Sequence, residues 1–216
     1  MKKYVAFMGP IAAGKGTQAD IMAQKHGYIH LATGNLFRSF MHEDTELGRK
    51  VRIILESGLY VPDQMVNDVV GAALNSADLS KGVIFDGYPR TLAQTKALDE
   101  ILAGFGITLE AVVVIDLDES KIIERISGRY SCAKCGAIFH DTSNPAPDGR
   151  CPICGSKDFV RRKDDRPEAV KVRLERYYTE TIPVIDMYEK RKILHRVNGT
   201  DGDISSVTKE IEEAIL

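Results

Sequence analysis

Along the chain, short unbroken apolar runs alternate with longer stretches in which apolar residues recur every three or four positions. Runs of the first kind suit strands buried on both faces, and stretches of the second kind suit helices packed on those faces. Residues 4–8 (YVAFM) read as a first buried strand and 15–25 as the helix that follows it. Residues 28–31, 83–85, 111–115 and 193–197 give four more strands, and helical patterns occupy 92–105, 120–126, 167–191 and 204–216. The alternation predicts an α/β fold, a five-stranded parallel sheet flanked by helices.

Two segments interrupt this rhythm. Residues 32–61 read as a helical insertion after the second strand, and 129–163 are rich in Cys, Gly, Pro, Asp and Arg with no helical period. The second segment has too few aliphatic residues to build an apolar core of its own, so something else has to order it. The expected division is therefore a core of 1–31, 62–128 and 164–216, carrying an insertion (32–61) and a lid (129–163).

Composition narrows the classes. With 216 residues, 44% of them hydrophobic and 28% charged, the chain can bury an ordinary globular core. Its 29 Lys and Arg nearly balance 31 Asp and Glu, which argues against a dedicated nucleic-acid binder. No apolar run approaches the ~20 residues of a membrane span. The opening Lys2-Lys3 and its apolar run are cut short by Gly9-Pro10, which suits a strand better than a leader.

Two motifs carry chemistry. Gly9-Pro10-Ile11-Ala12-Ala13-Gly14-Lys15-Gly16-Thr17 stands between the first strand and its helix in the spacing G-x-x-x-x-G-K. Such a loop turns its backbone N–H groups inward around phosphate oxygens, with the helix N-terminus behind them and the lysine reaching the β- and γ-phosphates. In the strict form Ser or Thr follows the lysine; here Gly16 intervenes before Thr17.

The second motif is Cys132-x2-Cys135 and Cys151-x2-Cys154, two close pairs separated by fifteen residues. Two such knuckles supply four thiolates to a tetrahedral ion, with Gly136 and Gly155 letting the backbone fold back. Four cysteines leave no open coordination position, so the metal is expected to be structural, zinc before iron. All four cysteines lie in this cluster, which suits a reducing cytoplasm. His140 is read as a hydrogen-bonded or surface histidine, since four better ligands are at hand.

The loop variant Gly-Lys-Gly-Thr-Gln resembles that of the nucleoside monophosphate kinases, the adenylate kinase family in particular. Further stretches match in the same order: Ala32-Thr33-Gly34-Asn35-Leu36-Phe37-Arg38, Gly58-Leu59-Tyr60-Val61-Pro62-Asp63, and Phe85-Asp86-Gly87-Tyr88-Pro89-Arg90-Thr91 with Gln94. Arg125 and Arg129 match the start of the family's lid, and Arg162-Lys163-Asp164-Asp165 with Arg173 match its end.

The resemblance implies a P-loop NTP hydrolase-like core with a monophosphate-binding insertion and a zinc-binding lid. It also implies transfer of a phosphoryl group from Mg-ATP to AMP, giving two ADP. ATP would meet Gly9, Ala12, Ala13, Gly14, Lys15, Gly16 and Thr17, then Arg125, Arg129, Ile138 and Phe139. AMP would meet Thr33, Gly34, Arg38, Leu59, Val61, Gly87, Arg90 and Gln94, with Arg162 and Arg173 completing the site. Lys15, Arg90, Arg125, Arg162 and Arg173 would carry catalysis, because arginine forks bind phosphate oxygens in pairs and stay charged. Asp86 would hold Mg²⁺ through water, with Asp164 and Asp165 as outer helpers.

Phe139 is open to two readings, packing on the ATP base or forming a small lid core. Arg150, Arg161, Arg166 and Arg176 are read as solvated charges, and Asp116 as turn chemistry. The family usually has glycine where Ala12 stands, so a positive φ there would cost about 1 kcal/mol. Ala32 and Asn35 also replace the usual Ser and Asp, which keeps UMP, CMP or GMP as alternative acceptors. An ATP-binding zinc-ribbon interaction module is the alternative of a different class. Only small-molecule nucleotide partners are expected, with no nucleic acid and no membrane, for a monomer.

Overall fold

The first strand, β1 (Tyr4–Met8), sends Tyr4, Ala6 and Met8 into one apolar cluster and Val5 and Phe7 into another. That period of two recurs in β3 (Val83–Asp86) and β4 (Ala111–Asp116). Val83, Phe85, Val112 and Val114 join the first cluster, and Ile84, Ala111, Val113 and Ile115 join the second. Strands apolar on both faces need a helical layer on each side. In the computed structural model, which describes residues 1–40 and 44–216, the chain builds both layers.

With β2 (Ile29–Ala32) and β8 (Leu194–Asn198), the strands form a five-stranded parallel sheet in the order β2-β3-β1-β4-β8. Helix α1 (Lys15–His26) and α9 (Ile204–Ile215) cover one face, where Ala19 and Met22 meet Val207 and Ile211. Helices α4 (Asp63–Asn75), α5 (Leu92–Gly104) and α8 (Ile182–Lys190) cover the other through Val70, Leu98 and Ile185. The chain leaves β1 for β2 on one side and reaches β4 on the other, so the carboxyl ends of β1, β3 and β4 open on a crevice. Ligands of open α/β sheets bind at such crevices.

The expected strands all form, with β2 and β8 each displaced by one residue from their sequence bounds. The expected insertion contains α2 (Thr33–Phe40) and α3 (Glu46–Glu56); its residues 41–43 lie outside the described residues. One expected element is corrected. Residues 167–191 do not form one helix but α7 (Pro167–Arg176), a wide π turn over Tyr177–Thr181, and α8. Pro183 has no N–H for the carbonyl of Thr179, and the widened turn absorbs the break.

The 129–163 segment needs a second correction. It folds as a three-stranded antiparallel sheet, with β5 (Arg129–Cys132) between β6 (Ile138–His140) and β7 (Phe159–Val160). It does own a small apolar core. Tyr130, Phe139 and Phe159 meet ring to ring at 5.3–5.7 Å beside buried Cys132, Ala137 and Cys151. Before this sheet and after it, α6 (Glu119–Ser127) and α7 connect the segment to the core through Ile122, Ile126 and Val170.

Candidate functional site

The G-x-x-x-x-G-K loop joins β1 to α1 at the crevice. Gly14, in a left-handed conformation, is the N-cap of helix α1, and no side chain caps its first turn. Its leading N–H groups therefore face the crevice, which suits an anion. Ala12 takes φ 64, so this loop does need a left-handed residue where alanine stands. A side chain at Gly16 would come within 3.2 Å of Asp86 Oδ2 and 3.4 Å of Ile138 Cδ1. The glycine after Lys15 thus keeps open the space between the loop, the end of β3 and the lid.

Lys15 Nζ donates to the carbonyls of Gly9 at 2.8 Å and Pro10 at 2.7 Å. Burial lowers its pKa to about 7; Asp86 opposes that shift, while Arg90, Arg173 and Arg129 add to it. Burial also works against the charge of Asp86, but a hydrogen bond from His30 and the nearby Lys15 hold its pKa below the usual carboxylate value. His30 bridges two carboxylates, Nδ1 to Asp20 at 2.7 Å and Nε2 to Asp86 at 3.2 Å. Burial opposes its charge, yet the two acceptors raise its pKa to about 9. Sequence reading missed His30 and Asp20, because their link to Asp86 crosses from α1 to β2 to β3.

A cavity of about 500 Å³ runs from this loop beneath the lid. Of the residues expected around ATP, Ala12 through Thr17, Arg125, Arg129, Ile138 and Phe139 line it, while Gly9 borders a smaller space behind the loop. Phe139 lies in the lid core and also borders the cavity. Gly199, Gly202 and Ile204 line the far end and were not foreseen. Arg125 ties that end together by donating to the Gly199 carbonyl at 2.7 Å. His140 also borders the cavity: its Nδ1 accepts from the N–H groups of Thr142 and Ser143, and its Nε2 is buried without a partner among the described residues.

A second cavity, about 60 Å³, lies between α2, the 58–61 turn and the start of α5. Thr33, Gly34, Arg38, Leu59, Val61, Gly87, Arg90, Gln94 and Arg173 line it, and Arg162 lies on the larger cavity instead. Gln94 is only 2% exposed. Its Oε1 accepts from the Arg90 N–H at 2.7 Å and its Nε2 donates to Asp63 at 2.8 Å, which fixes the orientation of the amide. Each end keeps one further hydrogen-bonding capacity.

The two cavities share Gly34, Arg38, Arg90 and Arg173. Around this junction stand five arginines and one lysine, while Asp164 and Asp165 are spent on arginines. Asp164 pairs with Arg173 at 3.0 Å, and Asp165 pairs with Arg129 and Arg173. Arg38 is held by Asn35 Oδ1 at 2.6 Å and Arg162 by Ser131 Oγ at 3.0 Å. Arg162 Nη2 is buried without a partner among the described residues, and burial pushes the pKa of this guanidinium well down. Uncompensated buried cations of this kind are costly unless an anion joins them.

Of the four arginines expected to be solvated charges, Arg161 stays exposed while binding Asp141 and the Ser127 carbonyl, and the partly exposed Arg176 pairs with Glu180. Asp116 pairs with Arg196 on β8. In the lid, none of the four cysteines is in a disulfide, and all four Sγ atoms lie within 4.8 Å of one another. Cys132–Cys154 and Cys135–Cys151 stand at 3.5 Å. A tetrahedron with metal–sulfur bonds of ~2.3 Å has edges of about 3.8 Å, so the donor set fits a thiolate-bound ion. Gly136 and Gly155, at φ 76 and 72, turn the chain after each pair.

Comparison with known proteins gives a consistent result. A family model described as adenylate kinase matches residues 7–193. A protein named adenylate kinase from Rhizorhabdus wittichii is 41% identical over 208 residues, 96% of each chain. One of the same name from Symbiobacterium thermophilum is 41% identical over 213 residues, 98% of each chain. Another, from Rhizobium rhizogenes, is 43% identical over 210 residues, 97% of this chain and 96% of its own.

Proposed function

Because the chain belongs to the adenylate kinase family, we propose that its two joined cavities are the donor and acceptor sites of a reversible phosphoryl transfer. The enzyme is an ATP:AMP phosphotransferase. The observation that carries it is the junction, where Arg38, Arg90 and Arg173 border both cavities. A hydrolase or a nucleotide switch needs one phosphate site; a cationic seam between two sites suits transfer between two bound nucleotides.

ATP occupies the larger cavity. Its phosphates lie on the loop N–H groups and the open end of α1, and Arg125, Ile138 and Phe139 border its base and sugar. AMP occupies the smaller cavity, with Arg38 and Arg90 on its phosphate and the fixed amide of Gln94 against its base. An oxygen of the AMP phosphate attacks the γ-phosphorus, and the bond to the β,γ-bridging oxygen breaks. That phosphate oxygen is already a nucleophile, so no general base is required.

Charge builds on the equatorial oxygens and the bridging oxygen during transfer. Lys15, Arg90, Arg162 and Arg173 stabilise it from fixed positions. The lid excludes water, which would otherwise take the phosphoryl group. Magnesium fits at Asp86, whose Oδ1 has no protein donor among the described residues, and when bound through water it supplies charge neutralisation on the phosphates. A zinc ion fits the four thiolates and orders the lid. We read the protein as a cytoplasmic monomer; no helix among the described residues is long and apolar enough to cross a membrane.

The test is a coupled assay with Mg-ATP against AMP, GMP, UMP and CMP in parallel. Rapid ADP formation with AMP alone supports the Gln94 and Thr33 assignments. Transfer to another monophosphate overturns the acceptor reading, and tight ATP binding without transfer overturns the two-site reading.

A further inference from the structure

Five arginines stand at the junction of the cavities, and they are held in different ways. Arg129 and Arg173 are held by carboxylates, which cancel charge as they position it. Arg38 and Arg162 are held by neutral side-chain oxygens. Arg90 has neither kind of partner. Its Nε donates to the Gly87 carbonyl at 2.7 Å, and no ion pair is formed by it among the described residues. Instead its guanidinium lies over the ring of Tyr60, with Cζ 5.0 Å from the ring centroid. Both terminal nitrogens are left without a protein acceptor among the described residues.

The same tyrosine is tied to the backbone of Arg90. Thr181 Oγ1 donates to the Arg90 carbonyl at 3.1 Å, and Tyr60 Oη lies 3.3 Å from that Oγ1. Thr181 is buried and closes the π turn between α7 and α8. The turn bearing Tyr60 thus meets Arg90 twice, once under its guanidinium and once through Thr181.

We propose that Tyr60 is the positioning residue of Arg90, its ring face fixing the plane of the guanidinium while leaving its full positive charge for the acceptor phosphate. An aromatic face attracts a cation through its quadrupole and carries no net charge. A carboxylate in its place would orient Arg90 but would compete with the phosphate for the same nitrogens. The inference rests on the reading of Arg90 as an acceptor-phosphate ligand, and the experiment separates the two.

Equilibrium binding of AMP and of adenosine is measured for the parent, Y60L, Y60M, Y60F, R90A and Y60L/R90A, together with steady-state kinetics. Arg90→Ala should weaken AMP and spare adenosine. If it weakens neither, the reading of Arg90 falls and takes this inference with it. Given that effect, Y60L and Y60M should weaken AMP about five- to ten-fold and adenosine less than about two-fold. The KM for AMP should rise while the KM for Mg-ATP stays put, and Y60F should recover most of the loss. Adding Y60L to R90A should cost nothing further. Equal losses for AMP and adenosine, or an undiminished effect of Y60L in the R90A background, would assign Tyr60 to the cavity wall and overturn the proposal. So would unchanged AMP binding in Y60L and Y60M.

Discussion

The carboxylate of Asp165 holds Arg129 through two parallel hydrogen bonds, Oδ2 accepting from Nε at 2.9 Å and Oδ1 from Nη2. Oδ1 also accepts from Arg173 at 3.4 Å, so one buried carboxylate serves an arginine from the lid and one from α7. Both Asp165 and Arg129 are nearly buried, with side-chain exposures of 7% and 11%. Removing one partner of such a pair leaves charge uncompensated in a low-dielectric site. Asp165→Asn should therefore destabilise the ligand-free protein by about 3 kcal/mol in urea unfolding. Saturating ADP should shrink that deficit, because phosphate oxygens replace the lost charge. By linkage, the variant should then bind ADP more tightly per folded molecule. An equal deficit with and without ADP would mean that these arginines do not meet phosphate.

Ala12 at φ 64 is a second local test. A left-handed alanine carries about 1 kcal/mol of strain, and glycine returns part of that gain as extra unfolded-state entropy. Ala12→Gly should raise stability by about 0.5 kcal/mol, read as a higher urea midpoint with an unchanged slope. A lower midpoint would show that the methyl group packs favourably enough to outweigh the strain.

These two positions illustrate what the sequence could and could not reveal. The strain at Ala12 was legible through the resemblance alone, since the family usually has glycine at that place in the loop. The five strands were equally legible, since β1, β3 and β4 are apolar on both faces and cannot be read as anything exposed. The break at Tyr177–Thr181 was hidden because helical periodicity continues on both sides of it; Pro183 was the available signal. The lid's core was hidden because Tyr130, Phe139 and Phe159 are scattered over thirty residues of polar chain. The partners of Asp164 and Asp165 were also invisible. Their place beside the arginines depends on how the lid and α7 meet, and they emerge as arginine anchors where metal helpers were expected.

Lys15 gives a prediction in protons. Its pKa of about 7 means that at pH 8 the ligand-free ammonium is mostly deprotonated. Bound phosphates favour the charged form and raise that pKa. ATP binding at pH 8 should thus take up close to one proton at this site, and close to none at pH 6. Calorimetry in buffers of different ionisation enthalpy measures the uptake. Lys15→Arg, always charged, should abolish it at pH 8. The sign for stability follows. Lys15 binds fewer protons folded than unfolded between pH 7 and 10.5, so the ligand-free protein should gain stability as pH rises through that window. Uptake that is absent in the parent, or equal in the arginine variant, would place the lysine's charge elsewhere.

The lid's dependence on metal can be argued from its size. The apolar cluster of 129–163 is three aromatic rings, two alanines (Ala137 and Ala146) and the cysteines Cys132, Cys151 and Cys154. A cluster of this size cannot offset the conformational entropy of ordering about thirty-five residues, at ~1–2 kcal/mol each. Binding by four thiolates supplies the difference and joins β5 to the loop before β7. Purified protein should carry one ion per chain, colourless if zinc and visibly absorbing if iron. Displacing it with an organomercurial and a chelator should lower the unfolding temperature. ATP affinity should fall by about ten-fold or more, because Arg129, Ile138 and Phe139 lose their places. AMP affinity should change by less than about two-fold, since most of its wall belongs to α2, the 58–61 turn and α5. Cys151→Ser should act in the same direction. Complete removal of the ion with ATP affinity intact would show that the lid folds on its aromatic core alone.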